Sequence, residues 1–156
     1  MKTIERATSP YIRENVEKDT ENMYIFTDNT DRDSGRGTIS SDSWYAKKYG
    51  EGKHYPKMTS AVIRGLENAY PITTQRYYND KYKGENGRWT DDDLSVFFEV
   101  IMDDFAEILK NSHKYKKIIF PMGGIFDSKI ANISKERVPK LHKLLSHLCK
   151  FLYYSK

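Results

Sequence analysis

Asp28, Asn29, Asp31, Arg32 and Asp33 lie within six residues of one another. They directly follow the apolar run Met23-Tyr24-Ile25-Phe26 and Thr27, and Gly35, Arg36 and Gly37 come just after. These residue types suit a polar ligand. Carboxylates and an amide can read hydroxyl and amino groups, a guanidinium can face an anion, and glycines let the backbone come close. A carboxylate within hydrogen-bond reach of a water can also serve as a general base, so Asp28 and Asp31 are the candidate catalytic residues if the protein is an enzyme. A second stretch, Pro121-Met122-Gly123-Gly124-Ile125-Phe126, follows the apolar Ile118-Ile119-Phe120. Its glycines would let backbone N–H groups reach phosphate oxygens, and Phe126 could stack on a ring. A plain turn explains the same two glycines.

Several chemistries are excluded by spacing. Neither a Walker loop nor G-x-G-x-x-G is present. Asn29, Asp31 and Asp33 alternate as in a calcium loop, but the glycine comes one position late, at Gly35, and Ser40 stands where a closing Glu is needed. No Ser-His-Asp or H-E-x-x-H signature occurs, and His142 and His147 lack partners at ligand spacing. Cys149 is the only cysteine, on a helical pattern beside Leu145, Leu148 and Leu152, where a buried inert thiol is expected. No metal and no cofactor are expected.

The elements that must position these residues read as α/β. Residues 23–27 form a β-favouring run that ends at Asp28. Ser9-Pro10 gives a helix-start signal, so a short helix or turn should precede that strand. Residues 43–49 have the form of a short helix, with a Ser or Asp N-cap and Gly50 as C-cap. Trp44 and Tyr45 either pack beneath it or stack on a ligand, and its free N–H groups would hold an anion if it faces the Asp28 loop. Residues 51–60 read as an irregular connector, 61–68 as a helix or a strand, and 69–74 as a short extended piece. Pro71 argues against a central antiparallel place there. Residues 75–88 read as a surface loop.

Thr90 should cap the clearest helix, with Asp91, Asp92 and Asp93 in its first turn. Its apolar stripe is Leu94, Phe97, Phe98, Ile101, Met102, Phe105, Ile108 and Leu109. A last helix opens near Pro139 and carries Leu141, Leu144, Leu145, Leu148 and Leu152. Strand, helix, strand, helix order predicts one α/β domain over residues 1–156, with a mixed or mostly parallel sheet flanked by helices. A parallel pairing would bring the ends of the 23–27 and 118–121 strands to one edge, making the two loops the walls of one crevice.

Composition bounds the partners. The chain is 38% hydrophobic and 31% charged, which suits a solvated globular protein, and its 12 tyrosines favour half-buried contact surfaces. Residues 110–156 carry 11 Lys/Arg against two acids, whereas 89–109 carry seven acids and no Lys/Arg. Solvated helix faces of opposite sign explain this, and an anion-binding surface is the other reading. No secretory leader pattern and no bilayer-length apolar run are seen, so a cytoplasmic protein without a membrane partner is expected.

A strand ending in Phe26-Thr27-Asp28-Asn29, then Arg32 with Gly35 and Gly37, then a late Phe120-Pro121-Met122-Gly123-Gly124-Ile125-Phe126, resembles phage and bacterial macro-like proteins. Over nearly the whole chain it is similar to small proteins of tailed phages related to the T-even group. Thr27 stands where that pattern has glycine, and residues 38–60 look like an insertion. The resemblance implies a macro-like domain that binds ADP-ribose, another NAD-derived signal or a cyclic nucleotide, in the host cytoplasm if the chain is phage-encoded. Counter-defence by sequestering such a signal is the implied role. The implied ligand-binding residues are Thr27, Asp28, Asn29, Arg32, Gly35, Arg36, Gly123, Gly124, Ile125 and Phe126. Asp28 and Asn29 would read base or ribose, Gly123, Gly124 and Ile125 would hold phosphate, and Phe126 would stack. Two other classes stay open. One is ADP-ribosyl or phosphoester hydrolysis with Asp28 or Asp31 as base. The other is an interaction module that takes a host protein or, less favoured, nucleic acid on the basic C-terminal third and the aromatic loop at 76–83.

Overall fold

A computed structural model of the chain describes residues 3–76, 87–126 and 131–154. Its six strands are β1 (Thr3–Arg6), β2 (Asn22–Asn29), β3 (Gly37–Thr38), β4 (His54–Tyr55), β5 (Ala69–Gln75) and β6 (Lys117–Phe120). β1, β6, β2 and β5 lie side by side in that order, every pair parallel, while β3 and β4 form a small antiparallel ribbon. The helices are α1 (Arg13–Lys18), α2 (Trp44–Tyr49), α3 (Leu94–Ser112) and α4 (Pro139–Tyr154). This is the expected α/β class, with a mostly parallel sheet between helices. The loop read over 75–88 falls largely outside the described residues.

A parallel sheet is stable when both faces are covered, and β2 shows why this one is. Met23 and Ile25 enter a core with Phe97, Ile101, Phe105, Leu141 and Leu145 of α3 and α4, whereas Phe26 enters a second core with Val16, Tyr45, Ile63 and Ala69. β5 is an edge strand, which is where Pro71, lacking an N–H, is tolerated. α2 packs beside that edge. Trp44 stacks on Tyr70, with ring centroids 4.9 Å apart, while Tyr45 meets Phe26 on the other side. Both aromatics therefore belong to packing. Residues 60–63, read as helix or strand, form one 3₁₀ turn that buries Ala61 and Ile63.

The capping signals act as read. Ser43 Oγ accepts from Ala46 N at 3.1 Å. Thr90 and Asp93 form a capping box in which Asp93 Oδ2 accepts from Thr90 N at 2.9 Å. Asp91 reaches across to accept from the free N–H groups of Lys140 and Leu141, so α3 and α4 begin side by side. The stripe of α3 needs correction. Phe97, Ile101, Phe105 and Ile108 are buried, but Leu94, Phe98 and Met102 are 37%, 48% and 39% exposed. The apolar arc of this helix is wider than the sheet and α4 can cover. β1 was not anticipated, because only Ile4 of its four residues packs against the core. His142, whose spacing suggests a surface residue, is half-buried instead: its ring lies 4.8 Å from Phe126 and its Nδ1 meets Ile133 O at 2.9 Å.

Candidate functional site

The site exists because two neighbouring strands part. β2 and β6 pair only where Asn22, Met23 and Tyr24 face Lys117, Ile118 and Ile119, and then separate toward their C-terminal ends. The Tyr11 hydroxyl fills the start of the gap, 2.7 Å from Ile25 O and 3.2 Å from Ile119 O, two carbonyls that the splayed ladder leaves over. Beyond it opens a cleft of about 940 Å³, a size suited to a small-molecule ligand. One wall is Thr27, Asp28 and Asn29 of β2, with Ser34, Gly35 and Arg36 after it. The opposite wall is Pro121, Gly123, Gly124 and Ala131. The Asp28 and Gly123 loops thus face one crevice. A third wall, residues 56–61, and the end of β5 at Thr74 and Gln75 complete it. The register of β2 on β5 slips between Asp28 and Asn29, which pair with Thr73 and Gln75, leaving Thr74 as the extra residue at the rim.

The floor is a buried charge network. Arg64, fully buried, donates from Nη2 to Asp28 Oδ1 at 2.5 Å and from Nη1 to the carbonyls of His54 (2.5 Å) and Ser34 (3.0 Å). The Tyr45 hydroxyl donates to Asp28 Oδ2 at 2.5 Å, and Arg32 Nη1 lies 3.4 Å from the same oxygen. Arg32 stacks over the Tyr49 ring at 3.8 Å and reaches toward Asp104 of α3, 4.0 Å away. Burial works against the charge on Arg32, but Asp28 and Asp104 outweigh it and keep the guanidinium charged. Asp104 accepts from Thr73 N at 2.7 Å, yet burial pushes its carboxyl up to about 7 against the pull of Arg32. Burial likewise raises the Tyr45 hydroxyl well above its ordinary value. It is a proton donor at any ordinary pH.

This arrangement redistributes the roles expected from sequence. Thr27, Asp28, Asn29, Gly35, Arg36, Gly123 and Gly124 line the cleft; Arg32, Ile125 and Phe126 do not. Arg32 turns inward to the two aspartates, in a left-handed conformation at φ 56°. The turn at Gly124 sends Ile125 into the core, where it is buried, and leaves Phe126 packed on His142 and the core rather than free to stack. Asp28 is no solvated loop carboxylate, since Arg64, Arg32, Tyr45 and Asn29 N already occupy both its oxygens. A general base needs a free lone pair aimed at its proton, so this geometry disfavours Asp28 in that role. Asn29 is also engaged, accepting from Arg32 N and donating to Ser34 Oγ. Asp31 lies outside the cleft lining, its carbonyl held by Lys53 Nζ at 3.0 Å. The start of α2 is capped by Ser43 and does not open on the cleft.

Sequence reasoning missed Arg64, Asp104, the third wall and the bond from the Tyr45 hydroxyl to Asp28. Arg64 had left a signal, an arginine among Ala61, Val62, Ile63 and Leu66. A charge inside an apolar run has to be paired if the run is buried. Gly35 carries a measurable demand. At φ 107° a Cβ there would lie 2.3 Å from Tyr55 O and 2.4 Å from Pro56. Gly35→Ala is expected to destabilise the protein by about 1–3 kcal/mol, read from urea unfolding, because strain and overlap add. Unchanged stability would show that this loop wall is not held against β4.

Among the described residues, no group of three or more His, Cys, Asp or Glu is placed to hold a metal ion. No helix among them is long and apolar enough to cross a membrane. Burial raises the Cys149 thiol to about 12, so it stays protonated and unreactive.

The model of a family of unknown function, DUF7831, matches residues 6–148. The chain belongs to the DUF7831 family. No curated protein and no solved structure matches it. The DUF7831 match runs from the last residue of β1 into α4, so it takes in all the described cleft walls and every member of the buried network.

Proposed function

We propose that the cleft binds a small phosphorylated ligand of nucleotide type, and that binding rather than turnover is its task. The observation that carries this is the charge of the lining. Arg36, Lys57 and Arg64 stand against Asp28 alone among the described lining residues, and Arg64 already neutralises Asp28. Arg36 and Lys57 are exposed and form no ion pair among the described residues, which leaves two cations for an anionic ligand at the rim. Ser34, Thr59, Ser60 and Thr74 add hydroxyls suited to ribose or phosphate oxygens. The nucleotide character is supported by the resemblance of the Phe26 to Asn29 and Gly123 to Phe126 segments to macro-like proteins. ADP-ribose, another NAD-derived signal or a cyclic nucleotide are the candidates, and sequestration of such a signal would serve phage counter-defence. Hydrolysis is the weaker reading, because Asp28 is saturated and Asp31 lies outside the cleft lining.

The test is thermal unfolding against ADP-ribose, NAD, cyclic ADP-ribose isomers, cyclic di- and trinucleotides, and short RNA and DNA. A true ligand at 100 times its dissociation constant stabilises by about 2.7 kcal/mol, a shift of several degrees. The Arg36→Ala, Lys57→Ala double variant is expected to bind about tenfold or more weakly, with the ligand-free melting temperature unchanged. No shift from any member would refute the reading for these ligands. A shift confined to RNA or DNA and lost in salt would replace it with a nucleic-acid surface.

A further inference from the structure

Away from the cleft, the exposed residues of α3 and α4 enclose an apolar groove of about 700 Å³. Its floor is Leu94, Phe98 and Leu144, its α3 rim carries Glu99, and its α4 rim carries Lys140 and Lys143. Phe98 is 48% exposed, so the face is unpartnered among the described residues. Glu99, Lys140 and Lys143 form no ion pair among the described residues, although other charges on α3 do, as where Asp103 and Glu107 hold Lys48.

We infer that this face is where two copies of the chain associate. What selects a second copy is the segregation of charge between the two helices. Along the groove α3 presents Glu99 and no base, while α4 presents Lys140 and Lys143, with His147 beyond them, and no acid. The helices start side by side, and the groove lies between the first turns of both, so they run in the same sense there. A two-fold axis lying along the groove therefore sets α3 of each copy over α4 of the other. Glu99 then meets the Lys140 and Lys143 of its mate twice over, and the Leu94, Phe98 and Leu144 surfaces close on each other. An isologous contact requires such self-complementarity, with acid and base on opposite sides of one apolar strip. A simple acidic partner would match only the α4 rim and would place its charge against Glu99.

Sedimentation velocity and light scattering on the intact chain test this. The expected result is a species of twice the chain mass at protein concentrations of about 100 μM and below, consistent with a dissociation constant in the micromolar range or tighter. Phe98→Glu should give a monomer with an unchanged circular dichroism spectrum, since the side chain is half exposed. Glu99→Lys, and separately Lys140→Glu with Lys143→Glu, should each weaken the dimer about tenfold or more. All three changes in one chain should restore it, because the charges are swapped and still complementary. A wild type that stays monomeric up to about 100 μM overturns the inference. So does a dimer that survives Phe98→Glu, or a triple variant that does not recover. A monomer that binds an acidic amphipathic peptide or anionic vesicles would overturn it too and give the face to that partner.

Discussion

Arg64→Met is expected to destabilise the protein by about 3–5 kcal/mol, the cost of removing one partner from a buried ion pair. Arg64 is fully buried and ties three segments together: β2 through Asp28, the loop through Ser34, and β4 through the His54 carbonyl. Its own carbonyl accepts from Arg13 Nη1 at 2.8 Å, which ties in α1 as well. Attraction in a low-dielectric interior offsets desolvation best when the polar groups are satisfied, and here four hydrogen bonds converge on Nη1 and Nη2, while the buried Nε–H has no partner among the described residues. Loss of the arginine leaves Asp28 with Tyr45 and the more distant Arg32 as its side-chain partners. Because a domain of this size has about 5–15 kcal/mol in total, the variant should be near its limit. Urea unfolding of Arg64→Met, Asp28→Asn and the double variant gives the check. The double variant should lose clearly less than the sum of the singles, because removing both charges leaves no uncompensated one. Strict additivity would mean that the two residues do not act as a pair.

Asp104→Asn is expected to be more stable than the wild type at pH 8.5, by a margin that shrinks by more than half near pH 5. Burial raises the Asp104 carboxyl from 3.8 to about 7, with Arg32 and Thr73 pulling the other way. Between those values the folded chain holds a proton that the unfolded chain has released. Stability therefore falls as pH rises through that window and levels off above about 7. Each unit of pKa corresponds to about 1.4 kcal/mol, so the loss across the window reaches roughly 4 kcal/mol at most. The amide can still accept from Thr73 N while carrying no charge to desolvate. Other groups titrate over the same range, so the informative quantity is the difference between variant and wild type, measured by urea unfolding at both pH values. A difference that stays flat, or grows toward acid, would refute the assignment.

Much of this fold was legible because its signals are local. Period-three and period-four apolar spacing gave α3 and α4, Thr90 gave the cap before α3 and Ser43 that of α2, and the apolar run from Met23 gave β2, which continues two residues past Thr27 to Asn29. What escaped depends on contacts between distant segments. β1 has one core residue in four and is a strand only because Lys117 to Phe120 offers it an edge. Arg32, Ile125 and Phe126 have the right types for ligand contact, but the left-handed turns at Arg32 and Gly124 point the chain inward. Asp104 could have been found by the same spacing that found the helix. It stands between Ile101, Phe105 and Ile108 on the buried side, where an acid has to be paired or protonated.

The strand order has a consequence for how the protein is made. β6 lies between β1 and β2, yet it leaves the ribosome after both of them and after β5, and its partner Thr3 precedes Lys117 by more than a hundred residues. Until residues 117–120 emerge, β1 has no neighbour and one edge of β2 is open. Met23, Ile25 and Ile72 also wait for the Leu141 and Leu145 side of the core. Pairing at such sequence separation is slow, because loop-closure entropy is spent before any contact compensates it. The nascent chain thus carries unpaired strand edges and uncovered apolar surface until residues 117–145 have emerged, the period in which aggregation competes with folding. The sheet closes late and all at once.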